Sequence, residues 1–240
     1  GLSGGVDSAV TAFLAVRALG RDNVRGVMLP YKSSSRESLS DAQQVVDALG
    51  MPSETVDITP MVDPYLEAMG VDDRVRAGNI MARQRMIVLY DISARDRALV
   101  LGTSNKTEFM LGYGTLYGDM ASAINPLGDL YKTQVWQLAS DIGVPRQIVE
   151  KRPTADLWVG QTDEGELGFS YRDVDRLLFA MIDERRSEAE LGVMGFDERF
   201  VRTVQSMVQR SQFKRRPPVV AKISHRTVNV DFRYARDWGI

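Results

Sequence analysis

Cysteine is absent from the 240 residues, and histidine occurs once, at His225. The first absence excludes disulfides, thiolate metal centres and a cysteine nucleophile in this chain. The second makes histidine-rich metal centres implausible, so any chemistry must come from carboxylates, Lys, Arg, Ser, Thr and backbone amides. His225 itself is expected to be structural. No run is apolar enough to span a bilayer, and no signal-peptide pattern is present, so no membrane association and a cytoplasmic location are expected. Neither sign of charge dominates: 30 Lys and Arg stand against 32 Asp and Glu. A broad basic footprint for nucleic acid is therefore not expected, and Lys214-Arg215-Arg216 is a short local cluster.

What is present is an ordinary globular composition, 44% hydrophobic and 26% charged. The length fits a single domain spanning 1–240, able to bury roughly 70–75% of its unfolded surface. Val6–Leu19 reads as a helix stopped by Gly20, and Val24–Leu29 as a strand stopped by Pro30. Helix is predicted over Ser40–Leu49, with Ser40 and Gln43 in capping-box spacing, then strand over Thr55–Ile58. Helices over Met61–Met69 and Asp72–Arg95 precede Ala98–Leu101, an apolar run of the kind found in buried parallel strands. A helix over Lys132–Ile142, a polar loop over Pro153–Gly168, and amphipathic helices over Tyr171–Glu184 and Phe196–Gln209 complete the pattern. Alternating strand and helix in the first half predicts an α/β fold, a doubly wound parallel sheet with additional C-terminal helices. Ligands of such sheets gather at the carboxyl ends of strands.

The strongest chemical signal is Ser3-Gly4-Gly5-Val6-Asp7-Ser8 at a helix start. Paired glycines let successive N–H groups face outward, the helix end adds partial positive charge, and the serines add hydroxyls: a cradle for phosphate oxygens. It lacks the Lys of a Walker A loop. A carboxylate among phosphates is repelled unless a divalent cation lies between them, so Asp7 is a candidate Mg²⁺ ligand. The glycine-rich turn would normally follow a strand, and the first strand is expected to be truncated. Gly102-Thr103-Ser104-Asn105-Lys106-Thr107-Glu108 follows the second apolar run, where Glu108 could complete the metal site with Asp7. Lys132 lies near a helix start, where a cation opposes the helix dipole; it makes sense there if it reaches phosphate. The polar loop from about Thr154 to Gly168 has the length of a lid.

These segments resemble the pyrophosphate-loop ATP pyrophosphatases and, within them, the NAD synthetases, from Gly1 to about Trp238. The matching stretches are GLSGGVDS at 1–8, GNIMARQRM at 78–86, GTSNKTE at 102–108, PLGDLYKT at 126–133, PTADL at 153–157, QTDEGELG at 161–168 and FKRRPP at 213–218. The resemblance implies an adenine nucleotide alpha hydrolase-like, Rossmann-like fold. It also implies amidation of deamido-NAD with ammonia and ATP, giving NAD, AMP and pyrophosphate through an acyl-adenylate. Gly1, Leu2, Ser3, Gly4, Gly5, Val6, Asp7, Ser8, Thr103, Lys132 and Thr154 would bind ATP, with Asp7 and Lys132 catalytic. Asp7 and Glu108 would bind Mg²⁺. Arg83, Glu166 and Lys214 would meet deamido-NAD, which in this family lies at the interface of a homodimer.

Two positions depart from many ammonia-dependent members. Where they have Lys after the Thr of the Thr115–Asp119 segment, this chain has Leu116, and a later acidic position is Ala123. The Leu-Tyr-Gly-Asp-Met version looks more like synthetase domains joined to glutaminases. Those take ammonia from a domain with a Cys nucleophile, which this chain lacks, so either it uses free ammonia or it is a fragment or partner of something larger. A tRNA thiolase or lysidine-type ligase would want cysteines or a basic face. A non-catalytic nucleotide sensor would not need Asp7, Glu108 and Lys132 together.

Overall fold

Strand β1 (Gly26–Met28) is buried at all three positions, because both of its faces are covered. It pairs in parallel with β2 (Ser53–Thr55) in the register Gly26–Ser53, Val27–Glu54, Met28–Thr55. On its other edge Leu2 bridges Met28, also in parallel, with the Leu2 N–H donating to the Val27 carbonyl at 2.8 Å. The computed structural model in which these contacts occur describes residues 1–154, 156, 162–228 and 230–232.

Side chains alternate across the sheet, as the two-residue period requires. Met28 and Leu2 join one core with helices α1 (Val6–Leu19), α2 (Arg36–Leu49), α6 (Lys132–Ile142) and α7 (Arg146–Glu150). Val27 and Leu29 enter a second core with Ile58, Val62 of α3 (Thr59–Ala68) and Met81, Val88 and Ile92 of α4 (Arg74–Asp96). Helices on both faces of a parallel sheet are the doubly wound arrangement that the alternating pattern predicts. A third core lies beyond the sheet. There α5 (Lys106–Leu111), α9 (Tyr171–Leu178), α10 (Glu188–Val193) and α11 (Glu198–Arg210) close around Tyr171, Leu177, Leu178 and Leu191, none of which is exposed. Trp136 packs against both the first core and this one.

Several boundaries differ from the sequence reading. Helix α2 begins at Arg36, because Ser35 rather than Ser40 caps it: the Ser35 hydroxyl accepts the Ser38 N–H at 3.0 Å. Ala98–Leu101 forms only an isolated bridge between Leu101 and Ile124, and Leu99 is 67% exposed. The Val100 carbonyl accepts N–H groups from Ala123 and Ile124, so this edge is met by a turn-rich segment. The polar stretch 153–168 contains a short helix, α8 (Asp163–Leu167). Residues 155 and 157–161 of the expected lid lie outside the described residues, as does the C-terminal end of the resemblance. The helix expected to run to Glu184 changes to a π turn at Phe179–Asp183. His225 is exposed on the C-terminal segment, so it is not a core histidine.

Candidate active site

Ser3–Ser8 bends sharply at the carboxyl end of the Leu2 bridge and enters α1. Gly4 has φ +80°, and a Cβ there would overlap the Ser38 carbonyl, so only glycine fits. The bend is held by its own serines. Ser3 N–H donates to Ser8 Oγ at 3.2 Å, Gly5 N–H donates to Ser3 Oγ at 3.2 Å, and Ser8 Oγ–H donates to the Gly5 carbonyl at 3.0 Å. No side chain caps α1, so its first N–H groups point at the cleft unclaimed by a capping group.

Asp7 stands on the first turn of α1. Its Oδ1 accepts the Asn105 side-chain N–H at 2.9 Å, and its Oδ2 accepts from the Lys132 ammonium. Glu108 lies on the other side of that ammonium, 3.6 Å away. Asn105 also caps α5 reciprocally: its Oδ1 accepts the Glu108 N–H at 3.0 Å, and Glu108 Oε2 accepts the Asn105 N–H at 3.2 Å. Asn105 therefore orients both carboxylates, Asp7 through its side-chain amide and Glu108 through its backbone N–H. Burial, then the Asp7 charge, raises the Glu108 carboxyl above the ordinary carboxylate range. Burial alone would lower the Lys132 ammonium, but the charges of Asp7 and Glu108 outweigh it and raise it. Lys132 is therefore a buried ammonium whose charged form its two carboxylate neighbours favour, with the Tyr171 ring 5.2 Å from its Nζ.

These groups line one continuous cleft of about 990 Å³. Its lining includes Gly1–Ser8, Thr103 and Thr154; Thr154 Oγ1 accepts the Asp156 N–H at 3.1 Å. Tyr113, Asp163, Glu166 and Lys214 line it too. Tyr113 Oη–H faces Glu166 at 2.7 Å and Asp163 at 3.1 Å. Tyr171 Oη–H donates to Asp163 at 3.1 Å. Burial raises the Asp163 carboxyl, although Lys132 and the two phenols oppose this. Lys214 donates to the carbonyls of Gly112 and Gly114 at 2.7 Å each and so pins the glycine-rich wall.

Of the residues singled out from sequence, the cleft gathers Gly1 to Ser8, Thr103, Glu108, Lys132, Thr154, Glu166 and Lys214. It does not gather Arg83, which is exposed on α4 and donates to the Leu116 carbonyl at 3.3 Å. Arg85, two residues on, turns inward instead, donates to the Leu29 carbonyl at 3.0 Å and lines the cleft. Sequence reasoning also passed over Asp163, Tyr113, Asn105 and Tyr171. The signal for Asn105 was a cap residue three before Glu108, and for Asp163 an acid in a polar segment between two helices.

Asp7 and Glu108 supply hard oxygen donors beside a phosphate cradle, a set that fits a divalent cation completing its shell with phosphate oxygens and water. Among the described residues no cluster of three or more metal-binding side chains occurs. No helix among them is long and apolar enough to cross a membrane.

The sequence model for NAD synthase matches residues 1–218. The NH(3)-dependent NAD(+) synthetase of Trichlorobacter lovleyi is 58% identical over 239 residues, covering 100% of this chain and 88% of that protein. Its counterpart in Chlorobaculum parvum is 58% identical over 99% of this chain and 86% of that protein. Among solved structures, an NMN synthetase from Francisella tularensis aligns with TM-score 0.80 and 32% identity, covering 92% of this chain and 87% of that one. An NH3-dependent NAD synthetase from Campylobacter jejuni aligns with TM-score 0.77 and 33% identity over the same shares. The architecture is the Rossmann-like α/β fold of those structures, and the chain belongs to the NAD synthase family.

Proposed function

We propose that this chain is an ammonia-dependent NAD synthetase acting as a single domain. It uses ATP to activate the nicotinate carboxylate of deamido-NAD as an acyl-adenylate, which ammonia converts to the amide with release of AMP. The observation that carries this reading is one cleft shared by the glycine-rich bend, Asp7, Lys132 and Glu108 and by Glu166 and Lys214. Its volume of about 990 Å³ lies at the upper end of the range for small-molecule sites.

The amides of Val6 to Ser8 and the Ser3 hydroxyl hold the phosphates, with Thr103 and Thr154 on the nucleotide and Ser8 Oγ bracing the bend through the Gly5 carbonyl. Lys132, already stripped of water, stabilises the charge that grows on pyrophosphate as it leaves. Asp7 and Glu108 would hold Mg²⁺, which when bound neutralises triphosphate charge. No protein nucleophile is required, because the substrate carboxylate attacks the α-phosphate itself. Ile87 and Tyr90 lie on the same exposed face of α4 as Arg83, at 54% and 39% exposure. A second copy of the chain covering that face would make a homodimer and bring Arg83 towards deamido-NAD. A cytoplasmic location, where ATP is plentiful, suits this reaction.

The test is an end-point assay with Mg-ATP, ammonium or glutamine, and either deamido-NAD or nicotinate mononucleotide, read by mass spectrometry. NAD and AMP from deamido-NAD with ammonium, but not with glutamine, support the proposal. Amide formation only from the mononucleotide would move the substrate to the smaller acid, the reading that the Francisella likeness would favour. No AMP under any condition overturns it.

A further inference from the structure

Asp175 is a buried carboxylate, 4% exposed, that none of the chemistry above uses. It lies on α9, and no salt bridge reaches it among the described residues. Such a charge costs several kcal/mol to bury unless it is strongly hydrogen-bonded. Both of its oxygens are taken. The Thr107 hydroxyl donates to Oδ1 at 2.5 Å, and the Thr133 N–H donates to Oδ2 at 2.8 Å. Thr107 Oγ1 in turn accepts the Lys132 N–H at 3.0 Å. Within helix α6 the Gln134 side chain accepts the Tyr131 N–H at 2.8 Å, while the first two N–H groups of the helix end on Thr107 and Asp175. The anion also sits at the positive end of α6, offsetting the cost of starting that helix with lysine.

Thr107 precedes Glu108, and Thr133 follows Lys132. One carboxylate therefore fixes the backbones that carry both groups facing Asp7. We propose that Asp175 is a positioning residue for the adenylation step: it holds the starts of α5 and α6 in the register that brings Glu108 and Lys132 to the triphosphate. This rests on the functional reading above. A nearby carboxylate provides the contrast. Asp183 also spans the two helices, but through the Lys106 and Tyr131 side chains and away from the cleft.

Asp175→Asn, Thr107→Val and Asp183→Asn are compared with wild type in the full-length protein, after circular dichroism and thermal melting. Asp175→Asn keeps an oxygen acceptor for Thr107 but presents an amide N–H to the Thr133 N–H. The expected result is a roughly 10–100-fold fall in kcat and in deamido-NAD-dependent ATP–pyrophosphate exchange, with KM for ammonium and deamido-NAD within about twofold. Thr107→Val should show the same split, and Asp183→Asn should keep kcat within about twofold. Folded Asp175→Asn and Thr107→Val with native kcat and exchange overturn the proposal. So does an equal rise in every KM with kcat preserved. Should Asp175→Asn not fold, Thr107→Val alone decides by the same criterion. Calorimetric binding of magnesium pyrophosphate gives a readout without turnover. If wild type makes no NAD, the functional reading fails; roughly tenfold weaker pyrophosphate binding in the variants still supports the positioning role, and equal binding refutes it.

Discussion

Two helix starts face the same cleft and are finished in opposite ways. Helix α1 begins on glycine, with no capping side chain, and leaves its first N–H groups to whatever enters the cleft. Helix α6 begins on Lys132, and its first N–H groups are closed off by Thr107 and Asp175. The first end keeps donors of the kind to which anions bind. The second would repel its own lysine through the helix dipole, and the fold answers by placing Asp175 behind it and Asp7 and Glu108 in front. A helix terminus serves as a binding site only where the chain declines to satisfy it locally. Where a charged side chain must be held still, the same terminus is filled.

Removing the cation should have the largest effect. Lys132→Met keeps most of the side-chain volume and should lower kcat roughly 100–1000-fold with modest change in KM, measured by steady-state kinetics in ATP. It should also show whether Asp7 and Glu108 tolerate each other without the charge between them, through a lowered melting temperature. Next is Gly4→Ala, which forces a side chain into a left-handed backbone position and against the Ser38 carbonyl. A cost of about 2–3 kcal/mol is expected, read as reduced thermal stability together with weakened ATP binding. Native affinity in that variant would show that the open helix end does not depend on the bend. Asn105→Ala removes a cap and the amide that holds Asp7. About 1–2 kcal/mol of stability should be lost, with a smaller fall in kcat than for Lys132. Ser187→Ala is the control: it removes the capping box of the distant α10 and should cost about 1 kcal/mol in denaturant unfolding while kcat stays native.

Much of this contrast was legible before the coordinates. The bounds of α1 and α6 coincide with the sequence reading, because Gly20 and Gly143 give unambiguous stops. The segment 102–108 was recognisable because polar residues follow an apolar run, 1–8 because paired glycines stand at a helix start, and 126–133 because a lysine stands near one. Their convergence was an expectation of the chemistry of Asp7, Glu108 and Lys132; the direct contact between Asp7 and Lys132 was not, since the two are 125 residues apart and meet only through packing of α1 on α6. Asp175 was hidden in a helix whose buried face runs through Tyr171, Val174 and Leu178. An acid on that stripe was the available sign. Arg83 and Arg85 could not be told apart by chemistry, because two positions along a helix turn a side chain by about half a revolution. The run at 98–101 looked like a buried strand because it is uniformly apolar, yet exposure of Leu99 shows that apolarity alone does not say what covers a residue.

The close fit between Gly4 and the Ser38 carbonyl has a consequence for transplantation. The six residues from Ser3 to Ser8 do not contain their own mould, because part of the surface that shapes them belongs to the first turn of α2. Grafted into another strand-turn-helix unit without a carbonyl in that place, the same letters would be free to relax into a looser bend. A minimal version of this bend must therefore carry residues 35–38 along with 1–8.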